Sequence, residues 1–176
     1  SWSVGFDEIN RWTPGLLQVS IGASISEALG IQLKWPNDLI FQQQKCGGIL
    51  LESSTSEERI RIGVGLNKGA REIEGVSYAG WEDYYGDINA DDMFQIIDAS
   101  ISSILDSSPP IENSRGILWQ QKSWIKLSEI LSRGVTTQYD EQTVNIVGLS
   151  NTGELNAISA TSKHEIQDVG DFFIAF

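Results

Sequence analysis

Lys34-Trp35-Pro36-Asn37-Asp38, followed by Lys45-Cys46-Gly47-Gly48-Ile49-Leu50-Leu51-Glu52, decides how this chain is read. Ile31 to Trp35 has the apolar, β-favouring character of a strand, Pro36-Asn37-Asp38 has turn chemistry, and Leu39 to Gln42 reads as the return strand. The next strand, Gly47 to Glu52, opens on a lysine and two glycines. If these strands pair as a hairpin, Lys34, Asp38 and Lys45 come near one another. Two ammonium groups and one carboxylate suit a nucleoside triphosphate and its metal, because lysine is a compact charge for phosphate and aspartate is an oxygen ligand for Mg²⁺. Gly47 and Gly48 let a ligand approach the backbone closely. The plain alternative is a surface hairpin with solvated lysines, and the residues alone leave both open.

Upstream, Thr13-Pro14 marks a helix start, with Thr as cap and Pro at the first helical position. Leu17, Ile21, Ile25 and Leu29 recur every fourth residue and share one face, and Gly30 is placed to end the helix. Ser1-Trp2-Ser3-Val4-Gly5-Phe6 alternates like a strand interior, with no initiator Met, cap or turn before it, so the chain is expected to begin in the middle of a fold. Downstream, Arg59 to Leu66 predicts a strand joined to its predecessor by the polar Ser53–Glu58 turn. Asn67 to Asn89 reads as one long Gly-rich polar loop containing Trp81 and the Tyr84-Tyr85 pair. A second amphipathic helix is expected over Asn89 to Leu105, with Met93, Ile97, Ile101 and Ile104/Leu105 on one face, broken by Pro109-Pro110. A third helix is expected around Ile117, Leu118, Trp119 and Trp124. After about Leu131 the pattern becomes short β-rich runs: Val135–Tyr139, Thr143–Leu149, Leu155–Ser159 and His164–Val169. The fold class is therefore α+β, a mixed or antiparallel sheet with flanking helices over residues 1–131, with a small β-barrel over 132–176.

Composition narrows the function. A chain with 40% hydrophobic and 20% charged residues is globular rather than disordered. A net charge of −12 argues against binding a nucleic-acid backbone, which needs clustered Lys and Arg. It leaves room for a local basic pocket. No apolar run approaches the roughly 20 residues of a membrane helix, and no signal peptide is legible. One cysteine, Cys46, excludes an internal disulfide and fits the cytoplasm. With a single Cys and a single His, His164, a zinc site is implausible. Cys46 needs only to be small, and His164 in the β-rich tail is read as a surface or satisfied core residue.

Lys-Trp-Pro-Asn-Asp followed by Lys-x-Gly-Gly-Ile-Leu-x-Glu resembles the signature of the biotin protein ligases. Gly63-Val64-Gly65-Leu66-Asn67 then matches that family's Gly-x-Gly-x-Asn strand end. The resemblance implies the class II aminoacyl-tRNA synthetase and biotin ligase type of catalytic fold, with an SH3-like C-terminal barrel. It implies attack of the biotin carboxylate on ATP to form biotinyl-adenylate, then transfer to a lysine of a biotin carboxyl carrier domain. By the same resemblance Lys45 would contact the biotin carboxylate and the α-phosphate. Asp38 would lie near Mg²⁺ and the adenylate, Asn37 would support that turn, and Lys34 would be a second cation. Trp35, Gly47, Gly48 and Gly65 fall in the motifs that line the substrates. Asn67 would bond the adenine edge, and Trp81 would stack on adenine or pack beneath its own loop.

The chain departs from the family pattern in one respect. A Ser/Thr-rich ureido-binding segment and a Gly-Arg-Gly-Arg loop belong upstream in the family and do not occur here, and Arg11 and Arg61 have the wrong context. The expectation is a catalytic domain incomplete at its N-terminus, with an unfinished biotin pocket and an open sheet edge that promotes pairing of two copies. A non-catalytic nucleotide- or carrier-binding module of the same fold remains open. So does a lipoate ligase relative, although the Trp-Pro-Asn-Asp turn speaks against it.

Overall fold

The computed structural model describes residues 1–9, 12–54, 56–107, 136–139, 142–150 and 152–166. The expected third helix, the Pro109-Pro110 break and the boundary near Leu131 lie outside these residues. The described elements are, in chain order, β1 (Trp2–Gly5), α1 (Phe6–Ile9), α2 (Pro14–Leu29), β2 (Gln32–Lys34), β3 (Asp38–Phe41), β4 (Gln44–Ser54), β5 (Arg59–Leu66), β6 (Arg71–Ile73), β7 (Val76–Tyr78), α3 (Trp81–Tyr84), α4 (Ala90–Leu105), β8 (Thr136–Tyr139), β9 (Gln142–Leu149), β10 (Leu155–Ile158) and β11 (Lys163–Ile166).

The two long helices follow from their ends and their apolar faces. The Thr13 hydroxyl accepts from the Leu16 N–H at 3.4 Å, Pro14 occupies the first turn, and Gly30 closes α2 at φ 68°. Asn89 caps α4 by accepting from the Asp92 N–H at 2.9 Å, and Asp91 and Asp92 sit favourably at its positive end. Leu17, Ile21, Ile25 and Leu29 of α2 and Met93, Ile97, Ile101 and Ile104 of α4 are buried. Each such side chain contributes about 1.5–3 kcal/mol on leaving water. The helices pack on each other, the Ser24 hydroxyl donating to the Ser100 carbonyl at 3.2 Å. Both cover one face of the sheet, where Leu33, Leu39, Ile49, Ile60 and Ile62 complete the core.

Among the described residues that sheet has seven strands, with the path β1-β5-β4-β3-β2 antiparallel throughout. The small β6–β7 hairpin joins β4 through a parallel pairing of Tyr78 with Lys45. The mixed, antiparallel-rich sheet agrees with expectation, but the long loop over Asn67–Asn89 does not. Residues 71–78 form a hairpin whose two-residue turn, Glu74 at φ 51° and Gly75 at φ 80°, matches strand twist with both residues left-handed. Helix α3 follows at once. Gln42 and Gln43, at φ 46° and 71°, make the same kind of turn between β3 and β4.

The C-terminal strands form a separate antiparallel sheet in the order β11-β10-β9-β8. Its β9–β10 turn rests on Trp35, just after β2, and on Thr13, the cap of α2. The Trp35 Nε1–H donates to the Gly153 carbonyl at 2.9 Å, and the Thr13 hydroxyl donates to the Thr152 carbonyl at 2.9 Å. Gly15 admits this contact, because a Cβ there would stand 2.9 Å from the Thr152 carbonyl oxygen. Among the described residues, no helix is long and apolar enough to cross a membrane.

Candidate functional site

The face of the sheet away from α2 and α4 carries the residues singled out by sequence. In register, Lys34 lies opposite Asp38, Asp38 opposite Gly48, and Gly48 opposite Gly65. Opposed residues in antiparallel strands share a face, so these four form one row across β2, β3, β4 and β5. Lys45 is three residues from Gly48, and simple alternation would send the two to opposite faces. A bulge changes this. Leu39 pairs with Gly47 but Ile40 with Lys45, so Cys46 is an extra residue in β4. Cys46 and Gly47 both turn toward the core, and Lys45 emerges on the same side as Asp38. The Lys45 ammonium lies 2.5 Å from Asp38 Oδ1. A Cβ built on Gly48 would be 3.9 Å from both Asp38 Oδ1 and Lys45 Cε.

The bulge explains one of the glycines and leaves another for function. A Cβ on Gly47 would fall 2.6 Å from Leu66 Cδ2 and closer still to the Gly65 carbonyl oxygen, so packing requires glycine there. A Cβ on Gly65 meets nothing within 4 Å. Gly65 is therefore open floor. Two hollows share Gly48 and Gly65. One, of about 380 Å³, runs over Asn37, Leu50 and Gly63, with Leu50 56% exposed. The other, of about 530 Å³, is lined by Lys45, Asn67, Arg71 and Tyr78. Lys45 stands beside their junction.

The electrostatics suit an anion. Burial lowers the Lys34 pKa, the Lys45 charge lowers it further, and Asp38 partly offsets both. All three groups thus lie within electrostatic reach. A half-exposed ion pair such as Lys45–Asp38 adds at most about 1 kcal/mol to stability, so the arrangement is not explained as a device for holding the fold. As a metal centre the site is thin. Among the described residues, no three His, Cys, Asp or Glu side chains stand together, and one Asp38 oxygen already faces an ammonium. Mg²⁺ wants octahedral oxygens, including phosphate and water. These residues do not fit a resident ion, and Mg²⁺ would come as part of a bound triphosphate.

The remaining candidates divide. Asn37 is locked in the turn, its Nδ2 donating to the Ile49 carbonyl at 3.0 Å while its own carbonyl accepts from the Ile49 N–H at 3.0 Å. Asn67 is a joint between strands. Its N–H donates to the Cys46 carbonyl at 2.9 Å, its Nδ2 to the Ala79 carbonyl at 3.0 Å, and its carbonyl accepts from the Trp81 N–H at 2.9 Å. Both residues border the hollows. Trp35 does not: it is 4% exposed, with its N–H committed to Gly153. Trp81 is also in the core, lining a different cavity with Trp2, Met93 and Phe94, and its buried Nε1 has no partner among the described residues. Cys46 is fully buried beside Tyr84, and burial lifts its thiol pKa to about 11, so it is not a thiolate at neutral pH. His164 lies in the C-terminal sheet near Ser159 and Ser162.

Arg71 and Tyr78 were missed by the sequence because they lie in the segment read as a loop. The guanidinium sits 5.6 Å from the centre of the Tyr78 ring.

No protein-family model matches the chain. A 57-residue stretch is 44% identical to the bifunctional ligase/repressor BirA of Bacillus subtilis, covering 30% of this chain and only 18% of that protein. Among solved structures, the apo biotin protein ligase of Aquifex aeolicus superposes with a TM-score of 0.77 at 23% identity, over 95% of this chain and 78% of the other. The same enzyme in complex with biotin and ATP superposes with a TM-score of 0.73 at 25% identity, over 94% and 72%.

Proposed function

We propose that this chain is a member of the biotin protein ligase family, whose solved structures share its fold and one of whose members it matches over a short stretch, and that it joins biotin to AMP at the expense of ATP and passes the biotinyl group to a lysine of a biotin carboxyl carrier domain. The observation that carries this is the Lys45–Asp38 pair, set on a glycine floor at the junction of two hollows. The Leu50 and Gly63 shelf suits a compact, largely apolar ring system, and the basic hollow suits the nucleotide. Lys45 is then within reach of both the biotin carboxylate and the α-phosphate.

In the first step a biotin carboxylate oxygen bonds to the α-phosphorus, and the bond from that phosphorus to the β-phosphate oxygen breaks, releasing pyrophosphate. Lys45 offsets the charge that gathers on the α-phosphoryl oxygens. Asp38 holds the Lys45 ammonium in place. In the second step the carrier lysine amine attacks the acyl carbon, AMP departs, and the amine loses a proton. Asn37 fixes the turn that presents Asp38, and Asn67 fixes the end of β5 against β4. The family's stacking role for Trp81 needs its ring to leave the core position it holds here. The C-terminal sheet is proposed to belong to an SH3-like barrel of residues 132–176, following a catalytic domain of residues 1–131. Pairing of two copies through the β1 edge, and action in the cytoplasm, complete the proposal.

The test is incubation of the chain with ATP–Mg²⁺, biotin and a purified carrier domain, with biotin on the carrier lysine read by mass spectrometry. Incorporation that requires all three supports the reading. Binding of ATP and biotin with no incorporation makes the chain a non-catalytic module, and absence of any response to biotin removes biotin as substrate.

Lys34 supplies a pH signature. Its pKa is held down in the ligand-free chain, chiefly by burial. An adjacent triphosphate favours the charged form and raises it. Between the two values, binding takes up a proton. ATP binding is therefore expected to show proton uptake that appears as pH rises toward the lowered Lys34 pKa of the ligand-free chain and disappears in Lys34→Gln. Calorimetry in two buffers of different ionisation enthalpy measures it, and uptake independent of Lys34 contradicts the placement.

A further inference from the structure

The β6–β7 hairpin takes over where β5 stops. Beyond Leu66 the flank of β4 passes to β7, with Tyr78 paired to Lys45 and Arg71 paired to Tyr78. Paired residues share a face, so Lys45, Tyr78 and Arg71 rise side by side from three adjoining strands. Two strand spacings put the Lys45 and Arg71 backbones about 10 Å apart. Among the described residues that line the hollow between them there is no Asp or Glu, in a chain whose net charge is −12. The exposed Arg71 guanidinium is steadied by the Tyr78 ring at 5.6 Å.

We propose that Arg71, oriented by Tyr78, holds the β- and γ-phosphates of ATP and the departing pyrophosphate, and so makes the site selective for triphosphates over monophosphates. This rests on the ATP reading above. Lys45 lies at the junction with the other hollow and Arg71 at the far side, so a nucleotide with its α-phosphate at Lys45 can extend its outer phosphates toward the guanidinium. A guanidinium fork meets two phosphate oxygens at once, and it offsets the charge that builds on the leaving oxygen as the bond to the α-phosphorus breaks. Biotinyl-adenylate has no β-phosphate. Arg71 therefore acts in adenylate formation and not in transfer to the carrier.

The test compares the full chain with Arg71→Gln and Arg71→Lys. Calorimetry with ATP and with AMP is combined with single-turnover transfer from preformed biotinyl-adenylate. Arg71→Gln is expected to weaken ATP at least about tenfold, the scale of one charge-assisted contact, and AMP by less than about twofold. Pyrophosphate inhibition weakens in parallel, transfer from the adenylate is unchanged, and Arg71→Lys recovers part of the ATP affinity. Equal losses for ATP and AMP, or unchanged ATP binding in Arg71→Gln, overturn the assignment while leaving the ATP reading intact. If the unaltered chain binds neither nucleotide, the ATP reading falls and this role falls with it.

Discussion

Lys45→Gln is expected to slow adenylate formation by about 10²–10³-fold, the cost of removing a preorganised charge from a site where negative charge develops. Thermal stability should hardly change. The Lys45 side chain is 46% exposed and its pair with Asp38 contributes at most about 1 kcal/mol. Glutamine keeps much of the side chain's length and a hydrogen-bond donor, so the loss reports charge rather than shape. ATP–pyrophosphate exchange driven by biotin gives the rate, and thermal denaturation gives the control. A loss below about threefold with normal folding would remove Lys45 from the chemistry. Asp38→Asn is expected to have a smaller effect, because it leaves the ammonium present but less firmly placed.

Why Lys45 occupies that position shows where sequence reading succeeds and where it stops. The helices were legible because capping and spacing act within a few residues: Thr13-Pro14, Gly30 and Asn89 fall where the structure has caps. The meeting of Lys34 and Asp38 across a tight turn was legible for the same reason. That Lys45 joins them depends on a bulge, and a bulge reverses the alternation on which strand reading rests. Its one trace in the sequence is the adjacent glycine, Gly47, which packing against β5 demands. The β6–β7 hairpin was illegible because its strands have three residues each and its turn is Glu-Gly rather than Asn-Gly or Asp-Gly. Arg71 was missed with it. Trp35 and Trp81 show the other limit. An aromatic ring inside a motif is as good a core anchor as a ligand platform, and only the tertiary partners, Gly153 for Trp35 and α4 for Trp81, reveal which place each holds.

The two glycines at the centre of the site should respond in opposite ways. Gly65→Val is expected to fold at least as well as the natural chain. Gly65 lies in β5 without a positive φ, an added Cβ meets no atom within 4 Å, and valine suits a strand. Relieving a glycine in a compatible backbone gains about 0.4–1 kcal/mol. Yet the new methyl groups stand on the floor shared by both hollows, where they lift the carboxylate and the α-phosphate away from Lys45. An ångström-scale displacement of reacting groups costs on the order of a hundredfold in rate, so adenylate formation should fall by about that much or more. Gly47→Ala should do the reverse in origin. Its Cβ runs into the Gly65 carbonyl and Leu66, which costs about 1–3 kcal/mol of stability through overpacking and pushes β4 and β5 apart. Activity then falls only as far as the bulge is lost. Denaturant melts and exchange rates on both variants separate the cases. A stable Gly65→Val protein with normal adenylate formation would show that the substrates do not lie on this floor, because a ligand held against Gly48 and Gly65 leaves no room for the added side chain.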